Sequence, residues 1–209
     1  MTRVSCNLFL GFTDPDKPEP WAGLWTLATR INAATLFKTA AWDVSVNTWD
    51  CDAKTLADQV AAGVPDRIVT VSYSWGNDAL IAYCKQLANL DRTIDVAFII
   101  DPVPCVWGRW ITCAIFNHDY PWKLPVNVSA FWSARTVNQK TWFMPWGRDV
   151  SYPAGMEPLG RIAFGSEANL AKWNPLGTQI VDGEVYHDTI DSDVRVHDAI
   201  IEQIGALKG

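Results

Sequence analysis

The chain carries too few cations to serve a polyanion. Its 17 Lys and Arg stand against 23 Asp and Glu, giving a net charge of −6 and a pI near 4.9. Nothing in that balance would neutralise a phosphate backbone, so nucleic acid is not an expected partner. No stretch approaches eighteen uninterrupted apolar residues, so no transmembrane helix is expected. The five cysteines (Cys6, Cys51, Cys84, Cys105, Cys113) are odd in number, and no pair has CxxC or Cys/His zinc spacing. Buried, inert thiols in a reducing compartment are the simplest account. The first residues, MTRVSCNLFL, lack a long apolar leader core and a small-residue cleavage site. A cytoplasmic location is the resulting expectation. Internal repeats and low-complexity linkers are lacking as well.

What is present suits one globular domain spanning 1–209. The chain is 49% hydrophobic and 19% charged, which excludes wholesale disorder, and at 209 residues it can bury a sizeable core without staples. Trp is the unusual residue, with 12 copies.

Along the chain, strand and helix patterns alternate, which predicts a mostly parallel sheet between helices, a three-layer α/β/α sandwich. Strands are expected at 4–12, 40–49, 67–73, 94–100 and 126–133, with a further one at 179–186. Apolar residues at helical spacing predict helices over 21–34, from Asp52 to 62, over 76–90, and from about Asp193 onward. Asp191 or Ser192 is expected to cap the last helix, with Asp193 in its first turn. The stretch 104–175 is loop-like and rich in Trp, Pro and Gly apart from its one strand.

The most specific feature is Val69-Thr-Val-Ser-Tyr-Ser-Trp-Gly-Asn, a strand that stops at a small-x-Ser-x-Gly turn and restarts as a helix. Gly76 lies two residues past Ser74, so register selects Ser74 over Ser72. The segment resembles the nucleophile elbow of the α/β-hydrolase superfamily, with Ser72 standing where that family usually has Gly. The resemblance implies a minimal α/β-hydrolase fold, of the size of small esterases and cutinase-like lipases.

It also implies a triad in the chain order Ser, acid, His. His187, in the loop Val185-Tyr-His-Asp-Thr-Ile-Asp before the last helix, occupies the family's His position. His118 reads as loop or pocket lining, and His197 as a surface or helix-packing residue. Asp101 is the leading acid because it ends the strand after the elbow helix, at the sheet edge where open α/β sheets build sites. Asp149 and Asp182 are the reserves. The backbone N–H groups of Trp75 and Phe12 would form the oxyanion hole, with the Thr13 hydroxyl as a further donor.

The Trp-rich insertion falls where the family places a lid. Trp107, Trp110, Trp142 and Trp146 would then line a pocket for a small-molecule ester with an apolar or sugar-bearing group. The carboxylates at 188, 191 and 193 lack calcium-loop spacing, so no metal is expected. No cofactor is expected for acyl transfer by such a triad. The expected function is therefore a serine carboxylic ester hydrolase. Its rivals are a thioesterase or amidase with the same triad, and a non-catalytic module binding through the Trp-rich face.

Overall fold

The computed structural model describes residues 2–12, 22–34, 40–103, 122–136, 150–154, 156–165, 179–181 and 185–207. In chain order these form β1 (Thr2–Phe9), α1 (Gly23–Ala33), β2 (Ala40–Asn47), α2 (Ala53–Gly63), β3 (Arg67–Tyr73), α3 (Gly76–Asn89) and β4 (Ile94–Ile100). They continue with β5 (Trp122–Lys123), β6 (Val128–Thr136), β7 (Val150–Ser151), β8 (Glu157–Phe164), β9 (Gln179–Val181), a 3-10 turn (Ile190–Ser192) and α4 (Val194–Ala206). Seven strands form one sheet in the order β2-β1-β3-β4-β6-β8-β9, and β5 pairs with β7 outside it. Every strand pair described is parallel. The protein is thus an α/β protein.

The strands are apolar on both sides because helices cover both sides. Val69, Val71, Phe98 and Ile100 face Leu24, Leu27 and Ile31 of α1 and Val196, Ile200 and Ile204 of α4. Ile68, Ala97, Ile99 and Phe131 face Leu80, Tyr83, Cys84 and Leu87 of α3. Phe98, Ile99 and Ile100 are fully buried, each contributing about 1.5–3 kcal/mol relative to an exposed side chain. That anchors the end of β4, the strand that leads into Asp101. Among the described residues no helix is long and apolar enough to cross a membrane.

Several element ends differ from the sequence expectation. β1 stops at Phe9 rather than running to 12, and the Leu10 N–H makes the closing bond of its ladder, donating to the carbonyl of Asn47 at the end of β2. β2 ends at Asn47, two residues short of 49, and a turn from Thr48 to Cys51 follows. β6 begins at Val128, two residues later than expected, and runs on to Thr136. Asp52 caps α2 as expected, accepting from the N–H groups of Lys54 and Thr55. For α4, however, Asp193 itself is the N-cap, accepting from the Arg195 N–H, while Asp191 and Ser192 belong to the preceding 3-10 turn. β8 was not expected at all. Its Pro158 and Gly160 are poor strand residues, and the pairing with β6 is irregular at Phe131/Trp132.

In chain order β1 is followed by β2 on one side, and the chain then crosses to β3 on the other side of β1. The sheet therefore has its topological switch point between β1 and β3. Open α/β sheets bind ligands in the crevice outside the carboxyl ends of the strands at such a point.

Candidate active site

Ser74 follows the last residue of β3, directly at that crevice. Its φ of 53° lies in the left-handed region, a conformation costing a non-glycine residue on the order of 1–3 kcal/mol. Three features hold the turn. A Cβ on Gly76 would intrude on the carbonyl oxygens of Phe9 and Leu10, the latter at 2.6 Å, so only glycine lets α3 start this close to β1. The Ser74 N–H donates to the carbonyl of Ile100, at the end of β4 (3.2 Å), and the Val103 N–H donates to the carbonyl of Ser74 (3.3 Å). Asn77, wholly buried, donates from Nδ2 to the carbonyls of Ser74 (2.9 Å) and Ile100 (3.3 Å). Its Oδ1 accepts the hydroxyl of Ser72 at 2.7 Å. Ser72 is therefore a structural strut beneath the turn, with its hydroxyl engaged away from the crevice.

The Ser74 Oγ lies 2.9 Å from Nε2 of His187. Nδ1 of His187 lies 2.6 Å from Oδ2 of Asp101. A carboxylate only accepts, so Nδ1 carries the hydrogen and Nε2 presents a lone pair to the Ser74 hydroxyl. Hydroxyl, imidazole and carboxylate form one hydrogen-bonded line. Asp101 is entirely buried, Ser74 is 5% exposed, and the His187 side chain keeps 13% of its surface open.

A buried carboxylate needs its charge answered by hydrogen bonds. Oδ1 of Asp101 accepts the N–H of Thr136 at 3.0 Å, and Oδ2 takes the imidazole. The backbone N–H of Asp101 donates to the carbonyl of Ala134. Like Ser74, Asp101 sits at positive φ, 41°. Thr136 also donates its hydroxyl to the carbonyl of Val185 at 2.6 Å, so the last residue of β6 holds the acid and the start of the His187 loop together. From the other side the Tyr73 hydroxyl donates to the carbonyl of His187, and the two rings are 5.2 Å apart. Three strand ends thus fix one imidazole.

No family model matches the chain, and no curated protein matches it.

The loop after β1 packs against the serine: a Cβ on Gly11 would stand 3.1 Å from Cβ of Ser74 and 2.9 Å from the Tyr73 ring. Phe12 follows, and its ring centroid is 4.3 Å from that of Trp75. Both residues expected to supply oxyanion donors therefore stand beside Ser74, one on each side of the switch point.

The structure brings together Ser74, His187, Asp101, Trp75 and Phe12. Thr13, His118, Asp149, Asp182, Trp107, Trp110, Trp142 and Trp146, and most of the 104–175 insertion, lie outside the described residues. His197 is buried, with its Nε2–H directed to the carbonyl of Asp191 at 2.6 Å, so it packs α4 onto the turn before it. Burial pushes its pKa below the ordinary value, and the nearby Arg30 acts in the same direction. Cys6 and Cys84 are buried thiols. Burial pushes the Cys6 thiol up to about 12 and raises that of Cys84 as well, so neither is a ready nucleophile. Among the described residues no group of three or more His, Cys, Asp or Glu is arranged to hold a metal ion.

Sequence reasoning missed Asn77, Thr136 and Tyr73. Asn77 lay within reach of the elbow pattern, since the first turn of an elbow helix faces the strand ends. Thr136 carried no signal, because its partnership with Asp101 follows from β6 lying beside β4.

Proposed function

We propose that the protein is a serine hydrolase of the α/β-hydrolase kind, cleaving a carboxylic ester through an acyl-enzyme on Ser74. The observation that carries this reading is the continuous line from Ser74 Oγ to His187 to buried Asp101 at the switch point of a parallel sheet.

A serine hydroxyl is a weak nucleophile until a base takes its proton. On this reading Nε2 of His187 accepts that proton as Oγ attacks the ester carbonyl. Asp101 keeps Nδ1 protonated, holds the ring in line and stabilises the imidazolium that forms. The N–H groups of Trp75 and Phe12 receive the negative charge developing on the carbonyl oxygen. His187 then returns the proton to the leaving alcohol. Water, deprotonated by the same nitrogen, resolves the acyl-enzyme by the reverse sequence. On this reading Trp107, Trp110, Trp142 and Trp146 of the Trp-rich insertion remain the candidates for substrate contact.

Labelling with a fluorophosphonate probe tests the reading, together with hydrolysis of a chromogenic short-chain ester. The native protein should label and hydrolyse, and Ser74→Ala should do neither while keeping its fold. Ser72→Ala should still label. Absence of labelling in the native protein, or labelling that survives Ser74→Ala, would overturn the assignment and return the chain to the binding-module class.

A further inference from the structure

Three neighbouring strands are each followed, within three residues, by an aromatic residue at the carboxyl edge. Phe12 follows β1, Trp49 follows β2 and Trp75 follows β3, and these strands lie side by side as β2-β1-β3. Their rings meet. Centroids are 4.3 Å apart for Phe12 and Trp75, 5.3 Å for Phe12 and Trp49, and 5.5 Å for Trp49 and Trp75. The planes cross at 42°, 66° and 72°, so the rings form an angular shelf rather than a stack.

This shelf is not part of the core. Phe12 is 53% exposed, Trp49 and Trp75 are partly exposed, and none of the three belongs to either buried apolar cluster. Leaving large rings together at a water-facing edge forfeits burial, and such apolar patches mark binding surfaces. Its backbone is nonetheless tightly fixed. The Leu10 N–H ties the end of β1 to Asn47 at 2.9 Å, the Cys51 N–H closes the turn carrying Trp49 onto Thr48, and Gly76 seats Trp75 against β1. Rigid rings cost a ligand little ordering.

We propose that Trp49, with the side chains of Phe12 and Trp75, is a specificity subsite selecting esters that carry a flat aromatic group beside the scissile bond. This rests on the hydrolase reading above. The shelf adjoins Ser74 through Trp75, its chain neighbour, and through Gly11, which packs on the serine's Cβ. Rings crossing at steep angles present both faces and edges, so another flat ring completes edge-to-face contacts that a saturated ring of equal size cannot make. Trp49 contributes no backbone donor to the reaction, so its side chain can be changed without touching the chemistry.

Matched pairs of substrates test this: ethyl benzoate against ethyl cyclohexanecarboxylate, and phenyl acetate against cyclohexyl acetate, each read as kcat/KM. The native enzyme should prefer the aryl member of at least one pair, in excess of the difference in intrinsic reactivity measured in alkaline solution, by roughly three- to tenfold. Trp49→Leu should bring that corrected ratio close to one while fluorophosphonate labelling of Ser74 continues at the native rate. Phe12→Leu, which keeps its backbone N–H, should lower the ratio in the same direction. Normal labelling with no corrected aryl preference, or with a preference that both variants retain, would overturn the subsite alone. Failure of the native protein to label would overturn the hydrolase reading and this proposal with it.

Discussion

The N–H of Thr136 donates to Oδ1 of Asp101 at 3.0 Å, which leaves Oδ2 as the atom that meets His187. The two oxygens of one carboxylate are thereby assigned different partners by the backbone of β6. An amide in place of that carboxylate would keep its oxygen on the Thr136 donor and turn its NH₂ to Nδ1. The imidazole would then be forced into the tautomer whose Nε2–H points at Ser74, where it cannot accept a proton. Asp101→Asn should therefore fold normally, by circular dichroism and thermal melting, and lose about 10⁴-fold in kcat on a chromogenic ester. A loss below about tenfold would move the acid to Asp149 or Asp182.

Asn77 joins the turn at Ser74 to the end of β4 through two hydrogen bonds and accepts a third from Ser72 of β3, all in a fully buried setting. Asn77→Leu removes one donor from each of two buried carbonyls, which keep the N–H groups of Val103 and Ser74, and leaves the buried hydroxyl of Ser72 without its acceptor. With roughly 0.5–1.5 kcal/mol for each of the two bonds lost to the carbonyls and roughly 1–3 kcal/mol for the unsatisfied hydroxyl, a stability loss of about 2–6 kcal/mol should appear in urea unfolding. Ser72→Ala leaves only the buried Oδ1 of Asn77 without its donor and should cost less, about 1–3 kcal/mol. Equal effects from the two changes would show that Asn77 does not hold the turn.

Gly76→Ala sets two effects of opposite sign against each other. Alanine is the better helix former by about 1 kcal/mol, and position 76 is the first of α3. Against this, the new methyl group meets main-chain oxygens of Phe9 and Leu10, which cannot swing aside as a side chain would. The clash should win, with a net destabilisation of about 1–3 kcal/mol and loss of fluorophosphonate labelling. A stabilised, fully labelled variant would contradict the close approach of α3 to β1.

His197 should make the fold sensitive to acid. Its pKa is lowered in the folded state, first by burial and then by Arg30, while the bond to the Asp191 carbonyl and the charges of Asp193 and Asp198 oppose the shift. The unfolded chain, with a histidine near its ordinary value of about 6.5, then takes up its proton first as pH falls. The stability contributed above that value is lost between it and the lower folded value. Urea midpoints at pH 7.5 and 5.5 should differ more for the native protein than for His197→Gln. A steeper acid loss in the variant would reverse the sign.

The turn at Ser74 was legible because its requirement is steric and local. Gly76 must be glycine for α3 to clear β1, and that spacing alone picked Ser74 over Ser72. Asp101 was legible as the residue ending the most apolar strand, and His187 as the His in the loop before the last helix. Thr136 and Tyr73 were not legible, since each acts through a main-chain group whose partner depends on which strands and loops become neighbours. β8 escaped notice for a different reason. Pro158 and Gly160 weaken its local preference, and it is strand only because β6 and β9 flank it. The cap of α4 went astray by one residue, which is all that separates Ser192 in the 3-10 turn from Asp193 at the cap.

Positions 74 and 187 are 113 residues apart in the chain, and 101 and 187 are 86 apart. Parallel pairing forces such separations, because each strand must cross over before it can return to the same edge. Closing loops of this length comes before any contact rewards it, so formation of this sheet belongs to the slow regime of folding. The imidazole arrives only when the final segment of the chain docks. A ribosome-bound chain that has released residues 1–136 already contains β1 through β6, Ser74 and Asp101, but not His187. Appearance of probe labelling during refolding would therefore time the docking of the last segment, a clock that far-ultraviolet dichroism cannot supply.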